Sequence, residues 1–384
     1  MKVTVSLFFA FLLSLSFAFS QKPYQDGYRP KGQQAYRHAP LQMSLITPIG
    51  TNGLKSARTI NHLSFNLIAG VSAGTQGVEF GGFANVNRSH MYGAQFAGFG
   101  NIVGGNTIGA QFAGFGNIVG GNSHALQFAG FGNIVGGDVS SAQFAGFGNI
   151  AGGKVGGGQV AGFGNVAKKV NGLQLAGFGN VAEHVNGAQV SGFINVAKQV
   201  NGLQLGVVNI ADEMNGIPVG LVSVVKKNGY RKLEASTSGA LNAQLALKMG
   251  VEHFYNIFAV GGQFSPNQNY YAVGYGIGTQ WQPLQNGLIA NVELMTWHVN
   301  DGISGWMRDL NLLNQAKLSV GIPLFNAITL FAGPTYNIMV SDAETAIDLT
   351  QEAYLPIYAL GNELSRNGNT RVRQWVGLHA GVRF

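Results

Sequence analysis

Four carboxylates fall close together near the C-terminal end of the chain: Asp342, Glu344, Asp348 and Glu352. Acids at such spacing could hold a hard cation or do general acid–base work. The surrounding residues argue for something plainer. Ser341 to Glu344 has the form of a capping box, AIDLTQEAYL follows, and Pro356 closes the stretch. A short external helix with its acids on a solvated face is therefore expected. His184, His253, His298 and His379 are scattered, with no ligand spacing of the HxxxH kind, no serine elbow occurs, and the chain has no cysteine. Neither an enzyme nor a bound metal or cofactor is expected.

The second chemistry-bearing pattern is glycine. Gly-x-Gly recurs in the phrase GFG, but GFGNIVG is not GxGxxG, and no βαβ context follows to cradle a phosphate. Calcium-binding β-rolls need an acid in each turn, whereas only Asp138 is available across the glycine-rich stretch. Ice binding would need a row of threonines, and there is none. The glycines thus point to backbone geometry.

That geometry belongs to a repeat spanning residues 76–229. QFAGFGNI begins at Gln95, Gln111, Gln127 and Gln143, and later copies relax to QVAGFGNV, QLAGFGNV, QVSGFINV and QLGVVNI. The glutamines at 95, 111, 127, 143, 159, 174, 189 and 204 give a period of sixteen residues and then fifteen. A fixed short period marks stacked supersecondary units. If each copy is one coil of a β-solenoid, identical side chains stack about 4.8 Å apart. Gln95, Gln111, Gln127, Gln143 and Gln159 would then form one amide ladder, and Asn101, Asn117, Asn133, Asn149 and Asn165 a second. About ten such coils make a rod on the order of 45 Å long. An antiparallel meander is the competing layout, but its connections would alternate in character, and GGNT, GGNS, GGDV and GGKV do not. From Ala167 onward the inter-phrase segments become AKKVNG, AEHVNG, AKQVNG and ADEMNG, so charged turns are expected there.

Composition agrees with an all-β chain: 58 glycines disfavour long helices, and only 10% of residues are charged. The formal charge of +7 is spread without a Lys/Arg run, so nucleic acid is not expected as a partner. Lys2 followed by the apolar run Val3 to Phe19 and small Ser20 has the layout of a secretory signal peptide over 1–20. Residues 21–40 read as a flexible lead-in. Alternation at Leu41, Met43 and Leu45, and again at Leu63, Phe65 and Leu67, predicts two N-terminal strands within 41–75.

Over 230–384 the pattern changes to long alternating strands. Leu245 and Leu247 alternate with Gln244 and Lys248; Tyr271, Val273, Ile277 and Trp281 with Gly274, Gly276, Gly278 and Gln280; Leu318 and Val320 with Lys317 and Ser319. The last strand places Val376, Leu378, Val382 and terminal Phe384 opposite Trp375, His379 and Arg383. Such strands, with short turns and longer loops at opposite ends, are the signature of a transmembrane barrel. A soluble sandwich alternates as well. The longest loop is expected over 341–370. Tyr271, Trp281, Trp375 and Phe384 would anchor the barrel in outer-membrane lipid. Tyr270 and Trp297 stand near strand ends and suit the same girdles.

The fold expected is all-β: a solenoid of 15- to 16-residue coils inserted after N-terminal strands into an outer-membrane-type antiparallel barrel of about eight to ten strands. The phrase QxxGFxNxA, the Asn-Gly turns and the alternating C-terminal half together resemble uncharacterised surface-repeat proteins of Bacteroidota and spirochaetes. That resemblance implies location and architecture, with no activity. Gln204, Gly206, Asn209 and Ala211 are similar to a curlin repeat. The expected function is a non-catalytic outer-membrane surface protein, structural or adhesive, with a protein or glycan ligand left open. The alternatives are a channel or transport protein with the solenoid as plug or funnel, and a secreted fibre subunit.

Overall fold

The computed structural model describes residues 36–266, 268–282, 287–301, 309–325, 328–342, 346–351, 353–365 and 368–384. The signal peptide expected over 1–20 and most of the lead-in lie outside the described residues. The chain divides into two compact units, Met1–Ala211 and Asp212–Phe384.

The structure contains a β-solenoid of about ten turns. Each repeat supplies two short strands, for example Thr107–Ala113 and Gly116–Val119. Each strand pairs in parallel with its counterpart one coil on, Gln111 with Gln127 and Asn117 with Asn133. Parallel pairing of like with like requires stacked coils, and the antiparallel meander is thereby excluded for this segment. The glycine after each AQFA phrase is set by close approach. A Cβ on Gly114 or Gly130 would run into the carbonyl oxygen of the equivalent glycine in the preceding coil.

The change of period from sixteen to fifteen has a local cause. Ala151 pairs with Ala167 and Lys154 with Lys169, so the Gly152-Gly153 bulge on one strand faces a single residue, Lys168, on the next. Later coils lose the corner and run on as continuous strands, Gly179–Ser191 and Ile194–Leu205. The charged segments expected as turns are therefore strand in these coils: Glu183, His184 and Lys198 sit on extended backbone.

The N-terminal strands also differ from expectation. Arg37–Ile46 pairs in parallel with Thr59–Gly81, which in turn pairs in parallel with Ala84–Ala97. They are the opening coils of the solenoid. Alternation marked them as half-buried strands, but alternation carries no information about the partner.

The second unit holds a nine-stranded antiparallel sheet made of Tyr230–Ser238, Ala243–Val251, Phe254–Phe264, Asn269–Trp281, Ile289–Asp301, Asn311–Phe325, Ile328–Asp342, Ile357–Leu364 and Thr370–Arg383. It closes on itself: Glu234 to Ser238 pair with Arg383 to His379. Among the described residues no strand from 41–75 takes part in this sheet, whose strands all follow the solenoid in the chain. Ile357–Leu364, expected within the long loop, is a strand along Thr370–Arg383. Ser341 and Asp342 end the preceding strand, and 346–351 is a turn. The helix expected there is not formed in the described residues; Ala343, Glu344 and Glu352 fall outside them.

Candidate functional site

The amide ladders are present, and they have a direction. Gln111 Nε2 donates to Gln95 Oε1 at 2.9 Å, Gln127 to Gln111 at 2.8 Å, Gln143 to Gln127 at 2.8 Å and Gln159 to Gln143 at 2.9 Å. Every glutamine donates toward the N-terminal end. The asparagines run the opposite way: Asn101 Nδ2 donates to Asn117 Oδ1 at 2.9 Å, Asn117 to Asn133 at 2.8 Å, Asn133 to Asn149 and Asn149 to Asn165 at 2.9 Å. Each asparagine gives its second amide hydrogen to a backbone carbonyl, as Asn117 does to Phe128 O at 2.9 Å. All these side chains are buried, and the dipoles of the two opposed chains partly offset one another.

At the N-terminal end the glutamine ladder meets a carboxylate. Glu79 occupies the glutamine position, fully buried, and accepts from Gln95 Nε2 at 2.8 Å, Thr75 Oγ1 at 2.8 Å and Asn66 Nδ2 at 3.1 Å. Burial pushes its pKa above the usual carboxylate range, and the hydrogen bonds from Gln95, Thr75, Asn87 and Asn66 oppose that rise. At the other end Gln204 Oε1 accepts no hydrogen bond among the described residues.

The outside of the solenoid is apolar along two columns. Phe65, Phe80, Phe96, Phe112, Phe128 and Phe144 stack with ring centroids 4.9–5.4 Å apart. Phe83, Phe99, Phe115, Phe131, Phe147, Phe163, Phe178 and Phe193 form the second column at 4.7–5.3 Å. A groove of about 710 Å³ follows the first column from Phe80 to Val160, floored by the alanine and glycine columns. The charged side chains gather elsewhere: Lys198 pairs with Glu183 at 2.8 Å, and His184 Nδ1 meets Gln199 Oε1 at 2.9 Å.

The closed sheet buries an ionic cluster beside an apolar one and is apolar outside. Lys248 Nζ lies between the carboxylates of Glu234 and Glu293. Arg383 binds Glu234 through Nε at 3.0 Å and Nη2 at 2.9 Å, and Asn291 Oδ1 through Nη1 at 3.0 Å. Tyr255 donates to Glu293 at 2.7 Å, and Lys317 donates to Gln244 at 2.9 Å. The rest of the interior is filled by Trp297, Trp375, Leu241, Leu313 and Met339, with Ile347 and Leu349 from the turn at 346–351. The interior glycines make room for this filling: a Cβ on Gly274 would stand 2.6 Å from the Trp297 ring, and one on Gly278 would strike Tyr255. Outside, Leu245, Val273, Leu294, Leu318, Val320, Ile322 and Leu378 are all exposed.

Of the four expected anchors, Tyr271, Trp281 and Phe384 are on the outer face. Trp375 is not: it is 1% exposed and packs in the interior. Strand register decides this, since Trp375 shares parity with His379 and Arg383. Trp297, also near a strand end, is fully buried and donates to Gln315 Oε1 at 2.7 Å. Tyr270 likewise packs against the interior cluster. Asp348, expected on a solvated helix, faces Arg373 Nη2 at 3.5 Å and accepts from the Thr350 amide at 3.0 Å. His253 and His379 lie on a turn and a strand of the closed sheet, and His298 on another strand, while His184 belongs to the solenoid. Among the described residues no three His, Cys, Asp or Glu side chains are placed to share a metal ion.

The interior ionic cluster was not foreseen as a unit. Its members appear in the sequence as isolated polar residues at inward positions, and only closure of the sheet brings Glu234 beside Arg383. No helix among the described residues is long and apolar enough to cross a membrane, which leaves strand-built crossing untouched. Comparison with protein-family models, with curated proteins and with solved structures returns no match.

Proposed function

We propose that the closed sheet is an outer-membrane β-barrel, and that the protein is a non-catalytic envelope surface protein whose solenoid serves as a structural or adhesive scaffold. The observation that carries this reading is the inverted burial. Lys248 and Arg383 are 0 and 2% exposed while Val320 and Ile322 are 53 and 55% exposed. Such an arrangement is costly in water and suits a sheet whose outer face meets hydrocarbon. A soluble sandwich would turn the same alternation the other way. The leader over 1–20 would direct export, and outer-membrane lipid would be the barrel's first partner.

The channel alternative draws no support from the interior, which is occupied by two tryptophans, the ionic cluster and the 346–351 turn. The fibre alternative leaves the apolar outer face of the closed sheet without a role. The test is fractionation of the envelope. The protein is expected in the outer-membrane fraction, resistant to carbonate extraction and migrating faster on gels before heating than after. Release by carbonate would contradict the reading, as would a clear single-channel step in planar bilayers.

A further inference from the structure

A solenoid with an exposed aromatic edge needs something to cover it, and the repeat itself indicates what. Ten phenylalanines of the two columns are each 36 to 53% exposed. At about 200 Å² per side chain, the seven of these between Phe80 and Phe147 offer roughly 600 Å² of apolar surface. A stable interface takes about that area from each partner. The surface is also regular: rings recur every 4.7–5.4 Å beside a groove lined by the same residues over five coils. A partner with apolar ridges of the same repeat fills such a groove in register, and the solenoid's own columns have that repeat.

A lipid surface fits less well. Interfacial lipid-binding faces carry a cationic rim, yet between Tyr92 and Gly164 the only charged side chains are Asp138 and Lys154. The charged side chains Lys168, Lys169, Glu183 and Lys198 lie in the later coils, after the first column has changed from Phe144 to Val160.

We infer that a second copy of this chain covers the aromatic edge, forming a twofold dimer in which the phenylalanine columns of one copy seat against the groove of the other, as ridges do in a steric zipper. The stretch where both columns are phenylalanine runs from Phe80 to Phe147 and is centred on Phe112 and Phe115. The axis therefore passes near Phe115, the coil of Phe99 meets the coil of Phe131 of the other copy, and the dimer holds whether or not the closed sheet spans a membrane.

Because the chain has no cysteine, single substitutions report contacts cleanly. In intact cell envelopes under mild oxidation, the full chain carrying Phe115→Cys is expected to give a covalent dimer, and Lys169→Cys, in the charged segment, to stay monomeric. Co-expressed Phe99→Cys and Phe131→Cys chains are expected to yield the mixed dimer, which keeps the test alive if Phe115→Cys fails to fold. Absence of dimer at both sites in chains that keep their β-sheet spectrum would overturn the inference. So would equal cross-linking at Lys169→Cys. A fluorophore at position 115 quenched by nitroxide lipids, with no covalent dimer, would assign the edge to lipid and overturn it as well.

Discussion

Gln95 donates its side-chain amide to the carboxylate of Glu79 at 2.8 Å, so a one-way ladder of glutamines ends on a buried acid. Burial raises the Glu79 pKa above its ordinary 4.5. The sign follows from linkage: the protonated form is favoured in the folded coil, so this residue's contribution is full below its unfolded pKa and is lost as pH rises through the folded one. Glu79→Gln removes the titration while keeping an acceptor for Gln95. Hydrogen exchange of the first coils should show the variant gaining on the parent from pH 4.5 upward, by up to about 1.4 kcal/mol per pH unit. A gap that does not change with pH would refute the assignment.

Asn133 is a middle rung of the opposite ladder, accepting from Asn117 at 2.8 Å and donating to Asn149 at 2.9 Å and to Phe144 O at 2.9 Å. Asn133→Ala takes one of the two acceptors of Asn117 Nδ2 and removes the Asn133 donor from Asn149 Oδ1 and from that carbonyl. Orphaned buried groups cost about 1–3 kcal/mol each, so a loss of roughly 3 kcal/mol in local stability is expected. Ile134→Val, on the half-buried outer side of the same strand, should cost under about 1 kcal/mol. Denaturant titration of exchange in coils 117–149 reads the difference.

Lys248 shares two carboxylates with Arg383 inside the closed sheet. Lys248→Met leaves Glu234 and Glu293 with one cation and should destabilise the sheet by about 3–5 kcal/mol. Adding Glu293→Gln should recover part of that loss, since one charge leaves with its partner. Urea unfolding followed by gel mobility before heating distinguishes the single from the double variant.

Much of this architecture is legible in the sequence, for one reason: in a parallel in-register stack each residue's neighbour is its own copy, so period and partner are the same information. Gln111 and Asn117 could be assigned to ladders because nothing but the period was needed. The closed sheet is legible only strand by strand. Leu318, Ser319 and Val320 reveal their faces by alternation, but the meeting of Glu234 with Arg383 depends on closure, which alternation does not encode. Ile357–Leu364 was hidden because residues of both its faces are exposed along most of its length, with Gly361 and Asn362 breaking the alternation. Trp375 was misplaced because residue type was weighed above register, and Leu41 and Phe65 because a half-buried strand looks alike in a stack and in a barrel.

The most direct measurement uses the Asn311–Phe325 strand, where Leu318 and Val320 are 49 and 53% exposed and Ser319 is 3% exposed. Single cysteines at 318, 319 and 320 are treated, in intact outer membranes, with a water-soluble maleimide, and a nitroxide lipid is used to quench a fluorophore at each site. An outer-membrane barrel predicts that positions 318 and 320 resist the aqueous reagent and are quenched by lipid, with 319 not quenched. Ready aqueous labelling of Leu318→Cys and Val320→Cys, without lipid quenching, would contradict it.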